Sequence, residues 1–180
     1  ANALISIYTF YPASPNAVQA VIMASEYYVK AGDIRSAKDK LQKLIADQPD
    51  IPEAQTGRLK LAQLLTAEQN YDQAVSEFQT IIEKAKDPEL IARAIYEKAK
   101  ISERLGRSDE ARAAYMKIIS RYGKTKMNAY ALFETGLILI REKNFAEAKT
   151  ILDNVARNAA APKELKNAAQ MNVGDIYFIT

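Results

Sequence analysis

The chain has no cysteine and no histidine among its 180 residues. Without cysteine there is no disulfide, no thiolate nucleophile and no cysteine-ligated zinc. The redox compartment stays open, because a cysteine-free chain suits the cytoplasm and the periplasm equally. Without histidine the commonest general base and the commonest transition-metal ligand are both missing. No apolar run approaches the roughly 18 residues that a membrane-spanning helix needs. The first residues carry no basic, apolar, small-residue leader pattern. The charge is nearly balanced: 25 Lys and Arg against 22 Asp and Glu leave +3, too little to argue for nucleic acid. Phosphate-loop, dinucleotide, nucleophile-elbow and zincin patterns are absent. The acids Asp109 and Glu110 stand together, but at a helix start, where the dipole favours them. A glycosidase would need two carboxyls facing each other across a cleft. Asp33 and Asp39 lack the dense spacing of a calcium loop. No catalytic residue, metal or cofactor is expected, and the chain is not expected to be an enzyme.

What remains is a composition of 48% hydrophobic and 26% charged residues, that of a soluble globular protein. Its order is periodic. Ala37, Ala74, Ala111 and Ala148 recur at steps of 37 residues. Four residues after each come Leu41, Phe78, Tyr115 and Leu152, and three further on Leu44, Ile81, Ile118 and Val155. Spacings of three and four place these columns on one helical stripe. Before each alanine stands a turn signal at Asp33, Asn70, Arg107 and Asn144; in the third, Ser108 is expected to take over the capping. An earlier helix runs into each turn, with small residues Ala20, Gly57, Ala94 and Ala131 again 37 apart. Pro12, Pro15, Pro49, Pro88 and Pro162 mark links where one helix stops and the next starts.

The unit is therefore helix, turn, helix, link. A lone pair cannot bury its stripe, and stacked pairs can, so the chain is expected to be an all-α, right-handed α-solenoid. Four full repeats are expected over residues 13–49, 50–86, 87–123 and 124–161. Residues 1–12 read as the second helix of a preceding repeat and 162–180 as the first helix of a following one. Gly174 lies 38 residues after Gly136, which implies one added residue in the last link. The opening ANALISIYTFYP reads as the inside of a helix, so the sequence is expected to be a fragment of a longer protein.

These columns resemble the tetratricopeptide repeat (TPR). That motif wants a small residue in the middle of the first helix, here Ala62, Ala99 and Gly136. It wants glycine before the turn, here Gly32 and Gly106, and an aromatic after it, here Tyr71 and Phe145. Alanine follows in the second helix, at the four positions above, and proline ends the repeat at Pro12 and Pro49. The period of 37 is longer than the motif's usual one. There is no tryptophan, Ser25 replaces a Gly/Ala position, and Lys98 and Thr135 stand at a usually apolar one. The link FYPASPNA, residues 10–17, resembles those of bacterial envelope TPR proteins. These include outer-membrane assembly lipoproteins and periplasmic cell-division coordinators. The resemblance implies the periplasm or cell envelope, with a cytoplasmic bacterial TPR protein as the competing reading. Any membrane association would come through segments outside this sequence.

The resemblance also implies a non-catalytic scaffold or adaptor. In TPR arrays the first helix of each pair lines a concave groove that takes a peptide or a partner helix. Carried across, the groove positions are Gln19, Ile22, Glu26 and Lys30, then Thr56, Leu59 and Gln63. The third repeat gives Arg93, Tyr96, Lys100 and Arg104, and the fourth Tyr130, Phe133, Leu137 and Arg141. The last two sets combine aromatics and arginine, the types enriched at interface hot spots, and are the expected peptide-binding residues. The same spacing also suits core packing, so Tyr130, Phe133 and Leu137 have a purely structural reading too. From Arg93 to Lys126 ten basic residues face four acidic ones. That excess reads either as a patch steering acidic peptides or an anionic surface, or as a solvated face. Chaperone-binding TPR proteins clamp a terminal carboxylate. The matching positions here are Ile22, Glu26, Lys60, Arg93 and Glu97, and the two glutamates argue against such a clamp. Two further readings stay open: a self-associating structural spacer, and a regulatory domain of a larger cytoplasmic protein.

Overall fold

The computed structural model describes residues 1–10 and 14–179. These form helices throughout: α1 (Asn2–Phe10), α2 (Pro15–Lys30), α3 (Ile34–Asp47), α4 (Pro52–Ala67), α5 (Tyr71–Lys84), α6 (Pro88–Arg104), α7 (Ser108–Arg121), α8 (Met127–Arg141), α9 (Phe145–Arg157) and α10 (Lys163–Ile179). No strand is present among the described residues. The helix starts α3, α5, α7 and α9 stand at 34, 71, 108 and 145, so the sequence period is a period of structure. Proline is the first residue of α2, α4 and α6, where its missing N–H has no helical partner to lose. The Pro12 signal lies outside the described residues.

The turns repeat in atomic detail. Residues 32, 69, 106 and 143 all have positive φ, at 79°, 62°, 74° and 60°. The residue after each closes the preceding helix by donating its N–H to the carbonyl five residues back. These bonds are Asp33 to Tyr28 O, Asn70 to Leu65 O, Arg107 to Ser102 O and Asn144 to Leu139 O, at 2.8–2.9 Å. This left-handed cap satisfies carbonyls that the helix end would otherwise orphan. Glycine supplies the conformation at Gly32 and Gly106, whereas Gln69 and Lys143 adopt it with a side chain.

The helix starts depart from expectation in their caps: Asn70 and Asn144 hold the cap positions of α5 and α9 without a side-chain cap bond. Asp33 caps α3 with its side chain, accepting from Ser36 N at 3.0 Å. Ser108 does not cap α7. It is the first helical residue, Arg107 holds the cap position, and no side-chain cap bond forms there. The backbone turn already delivers Arg107 into α7, so the serine arrives one residue too late to cap.

The chain divides into two compact units, Ala1–Ala94 and Ile95–Thr180. In the first, α1 packs on α2, α2 on α3, α3 on α4 and α4 on α5, with α2 also meeting α4. In the second, α7 packs on α8, α8 on α9 and α9 on α10, with α8 also meeting α10. Every residue of the three recurring columns, from Ala37, Leu41 and Leu44 to Ala148, Leu152 and Val155, is fully buried. Each such Leu, Ile, Val or Phe contributes ~1.5–3 kcal/mol by leaving water. The small first-helix residues permit the close approach. A Cβ added to Gly136 would lie 2.7 Å from the Leu152 side chain. Successive neighbours packed through a repeated stripe make the all-helical architecture expected of stacked helix pairs.

Candidate functional site

In the second unit, α6 turns Ile95, Ala99 and Ile101 into the core. That leaves Tyr96, Lys100, Glu103 and Arg104 on the opposite, partly exposed face. On α8, Tyr130, Glu134, Leu137 and Arg141 follow one another at helical spacing. The two faces are joined by carboxylates. Tyr96 Oη donates to Glu134 Oε1 at 2.9 Å, and Lys100 Nζ donates to the same oxygen at 3.1 Å. Lys100 Nζ also lies 2.9 Å from Glu103 Oε2. Tyr115, from α7, donates to Glu103 Oε2 at 2.9 Å, and Arg141 Nη2 donates to Glu103 Oε1 at 2.8 Å. Tyr96 sits at the centre, its ring tilted 5.7 Å from that of Tyr115 and edge-on 5.9 Å from that of Tyr130.

The exposure runs in one direction. The side chains of Glu103 and Glu134 are only 12% and 11% exposed, against 35% for Lys100 and 60% for Arg141. A carboxylate withdrawn from water costs several kcal/mol unless donors replace the solvent. Glu103 has three. Burial is the largest single influence on its carboxyl and works against ionisation. The bonds from Arg141, Lys100 and Tyr115 together outweigh burial and hold the carboxyl below its ordinary value. Burial likewise pulls on Lys100, and the two glutamates more than offset it, so its ammonium is held above the ordinary value. The phenols of Tyr96 and Tyr115 are pushed up, first by burial and then by the neighbouring carboxylate charge. At neutral pH Glu103 is therefore held as a carboxylate, Lys100 as an ammonium, and the phenols of Tyr96 and Tyr115 stay neutral.

The expected site residues divide as follows. Tyr96, Lys100, Tyr130 and Arg141 come together in this network. Tyr130 and Phe133 also pack against the core of α8, α9 and α10, so their structural reading is realised. Leu137 is half-buried, and Arg104 is exposed with no side-chain partner among the described residues. Arg93 is exposed and belongs to the first unit. Lys100, expected as a peptide-binding cation, is paired with two acids. Glu103 and Glu134 were missed. The available signal was Glu134, an acid inside the apolar helix MNAYALFETGLILIR, where a charge without a partner would be costly.

In the first unit Lys60 Nζ lies 2.7 Å from Glu26 Oε1. The one lysine positioned for a carboxylate clamp there is thus already engaged by an acid, and its bond holds Glu26 below the ordinary carboxyl value. A cleft of about 310 Å³ beside it is lined by Ser25, Val29, Gln63 and Leu64.

Comparison with known families agrees with this architecture. A model described as a tetratricopeptide repeat-like domain matches residues 2–132. The chain belongs to the tetratricopeptide repeat-like family. A second model, described as a tetratricopeptide repeat, matches residues 130–160 of the TPR array. No curated protein matches the TPR chain significantly in sequence. Among solved structures it is similar to the nearly identical TPR-like repeats of a kinesin light chain-type protein from Podosopora anserina. That likeness has a TM-score of 0.68 at 16% identity over 92% of this chain and 87% of that one. It is also similar to a tetratricopeptide repeat protein from Parabacteroides merdae, with a TM-score of 0.64 at 17% identity. There the match covers 90% of this chain and 64% of that one. At such identities the likeness concerns the fold. TPR arrays commonly mediate protein–protein interaction, and the family is generally a non-catalytic scaffold.

Proposed function

We propose that this TPR chain is a protein-binding scaffold whose partner, a peptide or a helix, lies across the α6 and α8 face of the second unit. The carrying observation is the direction of exposure in the network. Glu103 and Glu134 stay deep and each accepts from two or more donors, while Lys100 and Arg141, the cations they hold, are the more exposed partners, and Tyr96 and Tyr130 are in edge contact on the same pair of helices. Preordered arginine and aromatic side chains lose little freedom when a partner arrives. Arg104 extends the same stripe one turn along α6. The tyrosine-proline-x-serine-proline link and the 37-residue step extend the proposal to the bacterial cell envelope. The test is affinity capture from separated envelope and cytosolic fractions, comparing the chain with Arg104→Glu. This side chain is exposed, so the exchange spares the core. A partner held by the original chain and released by the variant supports the reading, and its fraction gives the compartment. Equal retention by both overturns the site.

A second reading, self-association, is favoured by α10. Met171, Tyr177, Phe178 and Ile179 are 70%, 63%, 94% and 62% exposed, a run larger than scattered surface apolars. A Cβ at Gly174 would meet nothing within 4 Å, whereas its repeat equivalent Gly136 receives Leu152. Sedimentation over a range of concentrations separates the readings. A constant monomer mass removes the second.

A further inference from the structure

A second charged surface lies outside this network. From Ala111 to Phe133 the sequence has no acidic residue, yet it carries Arg112, Lys117, Arg121, Lys124 and Lys126. Arg112 is engaged, with Nη1 3.0 and 2.9 Å from the two carboxylate oxygens of Glu142. Lys117, Arg121 and Lys124 have no side-chain partner among the described residues. Lys117 and Arg121 stand one turn apart on α7, and half-exposed Met116 stands beside Lys117. The helix dipole favours a cation at Arg121, in the last turn of α7, but it does not account for Lys117 or for Lys124 beyond the helix end. Lys124 then forms part of the wall of a cleft of about 370 Å³. Thr125, Lys126, Asn128 and Asn158 line it further, and no acid does.

We infer that Lys117, Arg121 and Lys124, with the cleft between the α7–α8 and α9–α10 links, form a docking site for an acidic segment of a partner protein. Charge complementarity selects the sign of the partner. Three uncompensated cations with no acid among the cleft walls attract carboxylates and repel basic chains. The cleft selects its form. A concave space of this size admits side chains of a polypeptide, and a lipid surface cannot enter it. The exposed thioether of Met116 adds an adaptable apolar contact beside the charges. Exposed ion pairs are individually weak, so the site steers and orients a partner more than it grips one.

The test uses the whole chain and a fluorescein-labelled oligoglutamate peptide, with oligoglutamine as control, followed by fluorescence anisotropy. Oligoglutamate is expected to bind and oligoglutamine not. Lys117→Glu/Arg121→Glu/Lys124→Glu is expected to weaken binding about tenfold or more, and raising salt from about 50 to 200 mM is expected to weaken it in the original chain. Circular dichroism checks that the variant is folded, and Arg35→Glu, an exposed charge reversal in the first unit, is expected to change the affinity less than twofold or so. Unchanged affinity in the folded triple variant overturns the site. So does a loss as large in Arg35→Glu, which would show that the acidic peptide is not held at this site. Binding to phosphatidylglycerol vesicles without binding to oligoglutamate overturns the choice of partner.

Discussion

Single positions show how the repeat tolerates variation. The left-handed turn position is filled by glycine at 32 and 106 and by Gln69 and Lys143 elsewhere. A side chain in that conformation costs roughly 1–2 kcal/mol, and the cap bonds offset it. Gln69→Gly and Lys143→Gly are therefore each expected to raise stability by up to ~1 kcal/mol, and Gly32→Ala to lower it by a similar amount. Urea unfolding midpoints check both directions. The helical glycines make a sharper pair. Alanine at Gly136 would gain helix propensity but would meet Leu152 at 2.7 Å inside a closed core. Overpacking of that kind costs ~1–3 kcal/mol, more than the ~0.5–1 kcal/mol that propensity returns. Gly136→Ala should lower the midpoint and Gly174→Ala, facing open space, should raise it. Equal effects at the two sites would refute the packing account of Gly136.

At the scale of the helix, the network of α6, α7 and α8 makes stability depend on pH at both ends. Glu103 has its carboxyl held below the ordinary 4.5. A depressed acid contributes stability that is present above the unfolded value and lost as pH falls through the folded one. Lys100 is held above 10.5, and Tyr96 and Tyr115 above 10.0. Raised groups contribute stability that is present below the unfolded value and lost as pH rises through the folded one. Stability should thus be level between about pH 5 and 10 and fall on either side. Glu103→Gln should weaken the dependence below pH 5 and cost ~1–3 kcal/mol at neutral pH. Tyrosinate absorbance should show Tyr96 and Tyr115 ionising only as the helices unfold. A full tyrosine signal in the folded protein would contradict the buried phenols. The same elements mark what was legible in the sequence. The columns at 37, 41 and 44 and their repeats were readable, because burial imposes apolar residues at fixed helical spacing. The start of α7 was misread at Ser108, because the capping is carried by a backbone turn that side-chain preference does not report. Glu103 and Glu134 escaped notice because their value lies mainly in partners on other helices, 12 to 38 residues away, whose facing cannot be counted from one stripe.

Over the whole molecule, charge is unevenly divided. Residues 1–94 carry ten basic and twelve acidic side chains, a net −2, and residues 95–180 carry fifteen and ten, a net +5. Both proposed docking surfaces belong to the basic unit, so association with acidic partners should depend on salt chiefly through that half. The architecture sets how damage spreads as well. In stacked repeats each pair touches only its neighbours, and stability is approximately a sum of repeat and interface contributions. Leu152 is fully buried and fills the space beside Gly136 in the core of α8, α9 and α10. Leu152→Ala removes that contact and leaves a cavity, at an expected cost of 2–5 kcal/mol. The loss should be local. Hydrogen exchange is expected to quicken in α8, α9 and α10 by a factor that follows this cost. The amides of α2, α3 and α4 should keep most of their protection, since they belong to the other compact unit. Quickened exchange over all of them alike would instead show that the chain opens as one cooperative body, and the nearest-neighbour account of its stability would have to be given up.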